Sequence, residues 1–356
     1  MRVAVEKLKE FVKSSAASNA KTALIHHTDA DGICSGVIAS KIFERFTGRK
    51  IDLRLSSDEH TLPDSIIHLL SKKRISHVVI TDIAADESSS QLAKIAKFAK
   101  VLVLDHHPSH KMNVHNAAII KPPMFSKLES SAYCASKLCY DLGKEIVYIH
   151  DLDWIASIGI LGDAGYKSWR NFVDSSLRKL ELKPQKDIWR SELGKAATAI
   201  SAAVSYDRKN IALCFKTVSE AGIPQQITKK LEPFAQKIRK AIAHELWKLS
   251  KTKSVDGIIF HKISSKYDVK GAVSTMCSFK MPSKTLIVCQ QNGKMIDISA
   301  RRQDRKVAVN NLLIEATRGL HNATAGGHIP AAGARIMAKD WELFKQRILE
   351  LTSREQ

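Results

Sequence analysis

The chain has 356 residues, 44% of them hydrophobic and 6% aromatic, which suits a soluble globular protein of two domains rather than one average core. Its 56 Lys and Arg stand against 36 Asp and Glu, a formal net charge of +20, and no apolar run approaches the roughly 18 residues a membrane span needs. The amphipathic opening from Val3 to Val12 lacks a signal-peptide core. The six cysteines are scattered without a Cys-x-x-Cys pair, so they read as reduced core residues of a cytoplasmic protein, neither zinc site nor disulfide framework.

In chain order, residues 1–20 read as an opening helix. Thr22 to His26 is a buried strand, followed by His27-Thr28-Asp29-Ala30-Asp31-Gly32 and a helical pattern through Ile33, Val37, Ile38, Ile42 and Phe46. His77 to Thr81 is a second strand, ended by Asp82 and followed by a helix from about Ser89 to Lys100. The run Val101-Leu102-Val103-Leu104 is a third, ended by Asp105-His106-His107. Pro122-Pro123 forces a turn before a helix over Ser130–Leu142. From Ile146 to Asp163 the chain is apolar and punctuated by glycine. Between 166 and 250 only helical patterns occur, at Trp189–Ala203, Asn210–Ala221 and Ile227–Leu249, with Pro184 and Pro224 as breakers. Strands return at Gly257–Ile263, Val269–Ser278, Thr285–Gln291 and Met295–Ala300, with Asn292-Gly293 as a hairpin turn. A helix from about Val307 to Leu320 precedes Gly326-Gly327-His328-Ile329-Pro330.

An acid after a strand is ordinarily a turn or cap residue, and Asp58, Asp64 and Asp86 read that way, as caps and loop charges. Three consecutive strand ends in acids are another matter. Open α/β sheets place their sites at the carboxyl ends of strands, so Asp29, Asp31, Asp82, Asp105 and the histidines are expected on one rim. With the backbone extended through the first motif, His27, Asp29 and Asp31 share a face and His26 points away. Packed carboxylates raise one another's pKa unless a cation neutralises them, and a divalent metal is the simplest remedy. Imidazole and carboxylate donors without thiolates point to Mn²⁺ or Mg²⁺.

These residues resemble the DHH phosphoesterases. His27-x-Asp29-x-Asp31-Gly32, Asp82, Asp105-His106-His107 and Asp163 are similar to motifs one to four of that superfamily, which includes RecJ-like exonucleases, small-oligonucleotide nucleases and family II pyrophosphatases. Gly326-Gly327-His328-Ile329-Pro330-Ala331-Ala332-Gly333 resembles the glycine-rich motif of the DHHA1 domain, although Ala325 stands where many members carry glycine. Ser130-Ser131 also fits the family pattern. The resemblance implies an α/β fold: a parallel-sheet DHH domain over 1–170, a helical connector over 171–250 and a smaller α/β DHHA1 domain over 251–356. It implies two metals held by His27, Asp29, Asp31, Asp82, His106 and Asp163, with Asp82 as the bridge. His107 is then expected to contact the scissile phosphate or protonate the leaving oxygen, and Asp105 to orient a neighbouring histidine. From spacing alone Asp151 or Asp153 could replace Asp163; the context Ile158-Gly159-Ile160-Leu161-Gly162-Asp163 favours Asp163 as motif four. In the second domain Gly326, Gly327, His328, Arg301 and Ser299 are expected to bind phosphate. Arg302, Arg305 and Lys306 are expected to line the nucleic-acid path.

The charge is uneven. Residues 1–170 carry 23 basic and 19 acidic side chains; residues 171–356 carry 33 and 17. A basic second half suits a polyanion. The favoured expectation is therefore an exonuclease on single-stranded RNA or DNA, acting at a cleft between the domains. A phosphoesterase for short oligonucleotides or nucleoside bisphosphates is the alternative, and a scaffold binding DNA replication or repair proteins is a third. The glycine-rich motif and long helical connector fit a pyrophosphatase poorly.

Overall fold

The computed structural model describes residues 1–17, 20–57, 62–108, 114–129 and 132–354. The chain opens with α1 (Arg2–Ser15), β1 (Thr22–His27) and α2 (Ala30–Thr47). Next come β2 (Leu53–Ser57), α3 (Asp64–Lys72), β3 (His77–Thr81), α4 (Ser89–Ala96), β4 (Lys100–Leu104) and β5 (Ala117–Ile120). Six helices follow: α5 (Ala135–Gly143), α6 (Asp153–Gly162), α7 (Tyr166–Lys179), α8 (Glu192–Tyr206), α9 (Ile211–Glu220) and α10 (Pro224–Ser250). The last stretch holds β6 (Ile258–Lys262), α11 (Lys270–Lys280), β7 (Thr285–Asn292) and β8 (Met295–Arg301). It ends with α12 (Val309–Thr317), β9 (Thr324–His328), β10 (Ala331–Met337) and α13 (Trp341–Arg354).

The first five strands form a wholly parallel sheet in the order β2-β1-β3-β4-β5. Both faces are covered, as a parallel sheet requires. Leu24, Val79 and Leu102 face the core shared with α2, α5, α6 and α8, while Ile25, Ile80 and Val103 face a second core with α3 and α4. This period-two alternation explains why the strands read as continuous apolar runs. The order reverses between β1 and β3, because the chain leaves β1 for one edge and returns to build toward the other. That reversal opens a crevice at the carboxyl ends of β1 and β3, where ligands bind in such sheets. The helix α2 stops at Gly48, whose φ of 71° lets its amide reach the Glu44 carbonyl.

The second sheet is mixed, in the order β6-β7-β8-β10-β9. Its β7–β8 hairpin turns at Gly293, φ 59°, as the Asn-Gly pair predicts. Chain contacts divide the molecule into Met1–Ala235 and Gln236–Gln356, so α7, α8 and α9 belong with the first sheet and the division falls within α10. No helix among the described residues is long and apolar enough to cross a membrane. All six cysteines are free and buried.

Three sequence expectations fail here. Val269–Ser278 is mostly helix, not strand: Val273, Ser274, Cys277 and Ser278 are its buried residues, a spacing that only helical periodicity puts on one face. The edge strands β2 and β5 escaped notice because they are short and only half-buried. The glycine-rich segment is a hairpin, with Gly326, Gly327 and His328 on the edge strand β9, a turn at Ile329-Pro330, and Ala331 to Gly333 on β10. Ser130-Ser131 and Asp58 lie outside the described residues.

Candidate metal centre

Four strand ends build the site. After β1 the backbone does not stay extended, contrary to the simple reading of the motif. Asp29 caps α2, its carboxylate accepting from the Gly32 amide at 2.8 Å, and Asp31 sits in the first turn of the helix. His27, Asp29 and Asp31 therefore divide between two groups. His27 and Asp29 meet Asp82, with ligand atoms all within 4.8 Å of one another; Asp31 meets His106 and Asp163 within the same limit.

Asp82 lies between the groups. It ends β3 in the left-handed region at φ 60°, its amide bonded to the Leu104 carbonyl at 3.0 Å, and is 2% exposed. One carboxylate oxygen is 3.6 Å from His27 Nδ1 and the other 3.2 Å from His106 Nε2. His106 Nε2 is also 3.3 Å from an Asp163 oxygen. His27 Nδ1 has Asp29 at 3.1 Å yet makes no hydrogen bond. A buried imidazole nitrogen without a hydrogen bond, set among converging carboxylates, suits a shared cation. The residues thus fit divalent-metal binding.

The other two acids considered for the fourth motif lie elsewhere, Asp151 in a bidentate pair with Arg45 and Asp153 paired with Lys179. Asp163 caps the end of α6, and two glycines bring that helix in. A Cβ at Gly159 would stand 2.6 Å from an Asp31 oxygen, and one at Gly162 would stand 2.7 Å from Ala30 Cβ. Asp31 itself is held by the first amides of α5, from Ala135 at 2.7 Å and Ser136 at 3.0 Å, where the helix end favours an anion.

Protonation equilibria show the strain of this gathering. Burial, then the Asp82 carboxylate, pushes the Asp31 carboxyl up to about 6. Burial, then Asp31, pushes Asp163 well above the carboxylate range. Burial opposes charge on His27 and His106, but Asp29 and Asp82 overcome it and hold both imidazoles well above 6.5. Asp29 is held low, its burial outweighed by His27. Protons on the histidines thus supply the positive charge that the carboxylates demand.

His107 also lies with Asp82 and His106 within the same 4.8 Å limit, and Asp105 stands behind it. His107 Nδ1 is 2.7 Å from Asp105, so Asp105 orients His107. Asp105 is fully buried and pairs with the Lys121 ammonium at 2.9 Å. Lys121, 2% exposed, also donates to Asp86 at 2.8 Å and to the carbonyls of His107 and Pro108 at 3.0 Å each. Burial opposes ionisation of Asp105, but His107 and Lys121 hold its pKa far below the usual range. Reading Asp86 as a surface charge is therefore wrong: it is 4% exposed and braces this cation. Lys121 was missed because β5 was missed, although it occupies a strand's carboxyl end like the acids. His26 points away as expected. It stacks on Phe215 at 5.0 Å, accepts from Arg54 at 3.0 Å and has its pKa lowered to about 3 by burial.

In the second unit, register aligns the expected phosphate ligands. Ala331 pairs with both Arg301 and His328, and Gly333 with both Ser299 and Gly326, so these four share one face of the sheet. Gly326 and His328 are exposed on β9. At Gly327, φ is 131° and a Cβ would lie 2.7 Å from the Ala331 carbonyl, so only glycine fits. The Arg301 guanidinium contacts the Ala300 and Ala332 carbonyls at 2.9 and 3.3 Å. Ser299 is buried and hydrogen-bonded to the Ser274 hydroxyl at 2.8 Å, so it supports α11. Arg302 is held by Asp304 in the same way.

Residues 21–160 match the model of the DHH family, N-terminal domain. A search of curated proteins finds no match. Among solved structures, the chain is similar to RecJ in complex with Mn²⁺ from Thermus thermophilus, with TM-score 0.76 and 14% identity over 99% of this chain and 54% of that one. The chain thus spans about half the length of that relative. It is also similar to an exonuclease RecJ bound to manganese, with TM-score 0.71 and 17% identity over 99% and 94%. CDC45 from Entamoeba histolytica gives TM-score 0.65 and 11% identity over 99% of both chains. Residues 21–160 thus match the DHH family's N-terminal domain, and the chain as a whole has a fold similar to that of RecJ.

Proposed function

We propose that this protein is a metal-dependent phosphodiesterase that removes nucleotides from the ends of single-stranded RNA or DNA. The observation that carries the reading is Asp82, whose two oxygens face two separate donor groups. His27 and Asp29 would hold one Mn²⁺ or Mg²⁺ with it, and Asp31, His106 and Asp163 the other. When bound, the ions lower the pKa of water and neutralise charge growing on phosphorus. The protein's own contribution is to hold the reacting groups still. Lys121 fixes Asp105, and Asp105 fixes His107 through Nδ1. Nε2 of His107 is then the atom to contact a phosphate oxygen or deliver a proton to the leaving oxygen. Gly326, Gly327, His328 and Arg301 supply phosphate contacts in the second unit, and its charge favours a polyanion over a small ligand.

The test is to incubate the protein with Mn²⁺ or Mg²⁺ and single-stranded RNA and DNA of several lengths, labelled at either end. Shortening from one end, faster on chains than on dinucleotides, supports the reading. Cleavage of dinucleotides alone supports the small-substrate reading. Binding without cleavage under either metal overturns the enzyme and leaves the scaffold for replication or repair proteins, a role to which the CDC45-like fold lends support.

A further inference from the structure

The second half of α10 carries a stripe unlike an ordinary helix face. Lys237, Lys240, His244, Trp247 and Lys251 follow one another at steps of three or four residues, so they line one side of the helix and its end. That spacing normally seats apolar residues against a core. Here Ile238, Glu245 and Leu249 face inward instead, all at most 4% exposed, and the stripe faces solvent. Trp247 is 56% exposed. The Lys251 ammonium lies 3.6 Å from the centroid of its ring, and the His244 ring stands 6.2 Å away at 23° to it.

The segment after β6 forms the facing wall. Lys237, Lys240, His244, Ser264, Lys266 and Tyr267 border a shallow depression, and the Lys266 ammonium lies 5.4 Å from the Tyr267 ring centroid. Residues 236–270 hold nine Lys or Arg and three acids. Of those acids, Glu245 is sealed beneath the stripe by Ser264, Ser265 and His261, and Asp268 is paired with Lys270. The surface therefore offers cations beside aromatic rings, with little negative charge to offset them.

We infer that this face of α10 binds single-stranded nucleic acid, with Trp247 stacking on a base and Lys240, Lys251 and Lys266 contacting phosphates. Aromatic rings interleaved with ammonium groups suit a strand whose bases are unpaired, because every base has a face to stack and a phosphate follows each sugar. An acidic peptide would use the lysines but gains nothing specific from Trp247. The stripe from Lys240 to Lys251 runs about 16 Å along the helix, the reach of a few nucleotides. The inference rests on the proposed polymer substrate but not on hydrolysis.

Its test is binding of a fluorescein-labelled single-stranded 20-mer, RNA or DNA, to the 356-residue protein in EDTA, where no cleavage occurs. Trp247→Ala should weaken binding roughly tenfold, and Trp247→Phe should retain most of the affinity. Lys240→Gln with Lys251→Gln should weaken binding and lower the salt slope by about 1.4. Unchanged affinity in Trp247→Ala, with an unchanged melting temperature, overturns the inference. So does displacement by polyglutamate that is equal for the wild type and Trp247→Ala. Metal-dependent cleavage of a dinucleotide should be the same in Trp247→Ala and wild type. If the wild type cleaves nothing while Trp247→Ala still loses binding, the hydrolytic reading fails and this one stands.

Discussion

The two units handle charge in opposite ways. The first buries it: Asp31, Asp82, Asp105, His106, Lys121 and Asp86 are all below 9% exposure, and each is answered by a neighbour a few ångströms away. The second, apart from Glu245 beneath α10, wears most of it outside, on long side chains over an apolar sheet and helix core. Buried charge is specific and costly, because each group must find its counter-charge in a fixed place. Surface charge is diffuse and screened by salt. The first arrangement suits chemistry at one bond and the second suits holding a chain of phosphates.

The strongest way to break this contrast is Asp82→Asn. If Asp82 joins two cations, the variant should lose at least ~10³-fold in cleavage rate. Mn²⁺ should raise its melting temperature much less than it does the wild type's. Removing a charge from a crowded acidic group should leave the metal-free protein no less stable. Near-normal cleavage with an undiminished Mn²⁺ effect would sink the assignment.

Lys121→Met comes next. It strands two buried carboxylates, Asp86 and Asp105, and should cost about 3–5 kcal/mol in urea unfolding. Adding Asp86→Asn should restore part of that. A loss below about 1 kcal/mol would mean the pair is worth no more than a surface one.

A pH series sharpens the contrast further. The folded-state pKa of Asp31 is raised to about 6, so the metal-free fold binds a proton there that the unfolded chain releases near 4. Its stability falls as pH rises through that window. The raised His27 and His106 act in the same sense above 6.5, where the unfolded chain loses its protons first. Mn²⁺ competes with these protons, so its stabilisation should be small at pH 5 and grow toward pH 7.5, as read by melting temperature. A constant increment across this range would contradict the coupled cluster.

The smallest effect belongs to the second unit. His328→Ala should raise KM about tenfold for a single-stranded substrate, by loss of one phosphate contact, with Mn²⁺ stabilisation unchanged. A fall in Mn²⁺ stabilisation would place His328 in the metal centre instead.

Most of the first unit was legible because buried parallel strands have a plain signature and their ends have a fixed meaning. Thr22 to His26, His77 to Thr81 and Val101 to Leu104 are continuous apolar runs, and the acids that follow them have no other reason to recur. What escaped were features set by tertiary contact. Asp86 looks like any loop acid until Lys121 is seen beneath it. The division of Asp29 from Asp31 depends on where α2 starts, which a cap decides within a residue or two. In the second unit, Val269–Ser278 has the composition of a strand and the packing of a helix. The inward turn of Ser299 is fixed by Ser274 across the sheet face, a pairing invisible along the chain.

The left-handed backbone at Asp82 narrows what substitution can do there. Glycine and asparagine take up that conformation easily but bring no carboxylate. Glutamate keeps the charge, yet in a left-handed backbone it costs roughly 1–2 kcal/mol and its longer arm overshoots a position set between two imidazoles. Two demands, one on the main chain and one on the side chain, overlap at aspartate alone. No single replacement satisfies both, so the main chain at this position restricts the side chain as tightly as its two imidazole neighbours do.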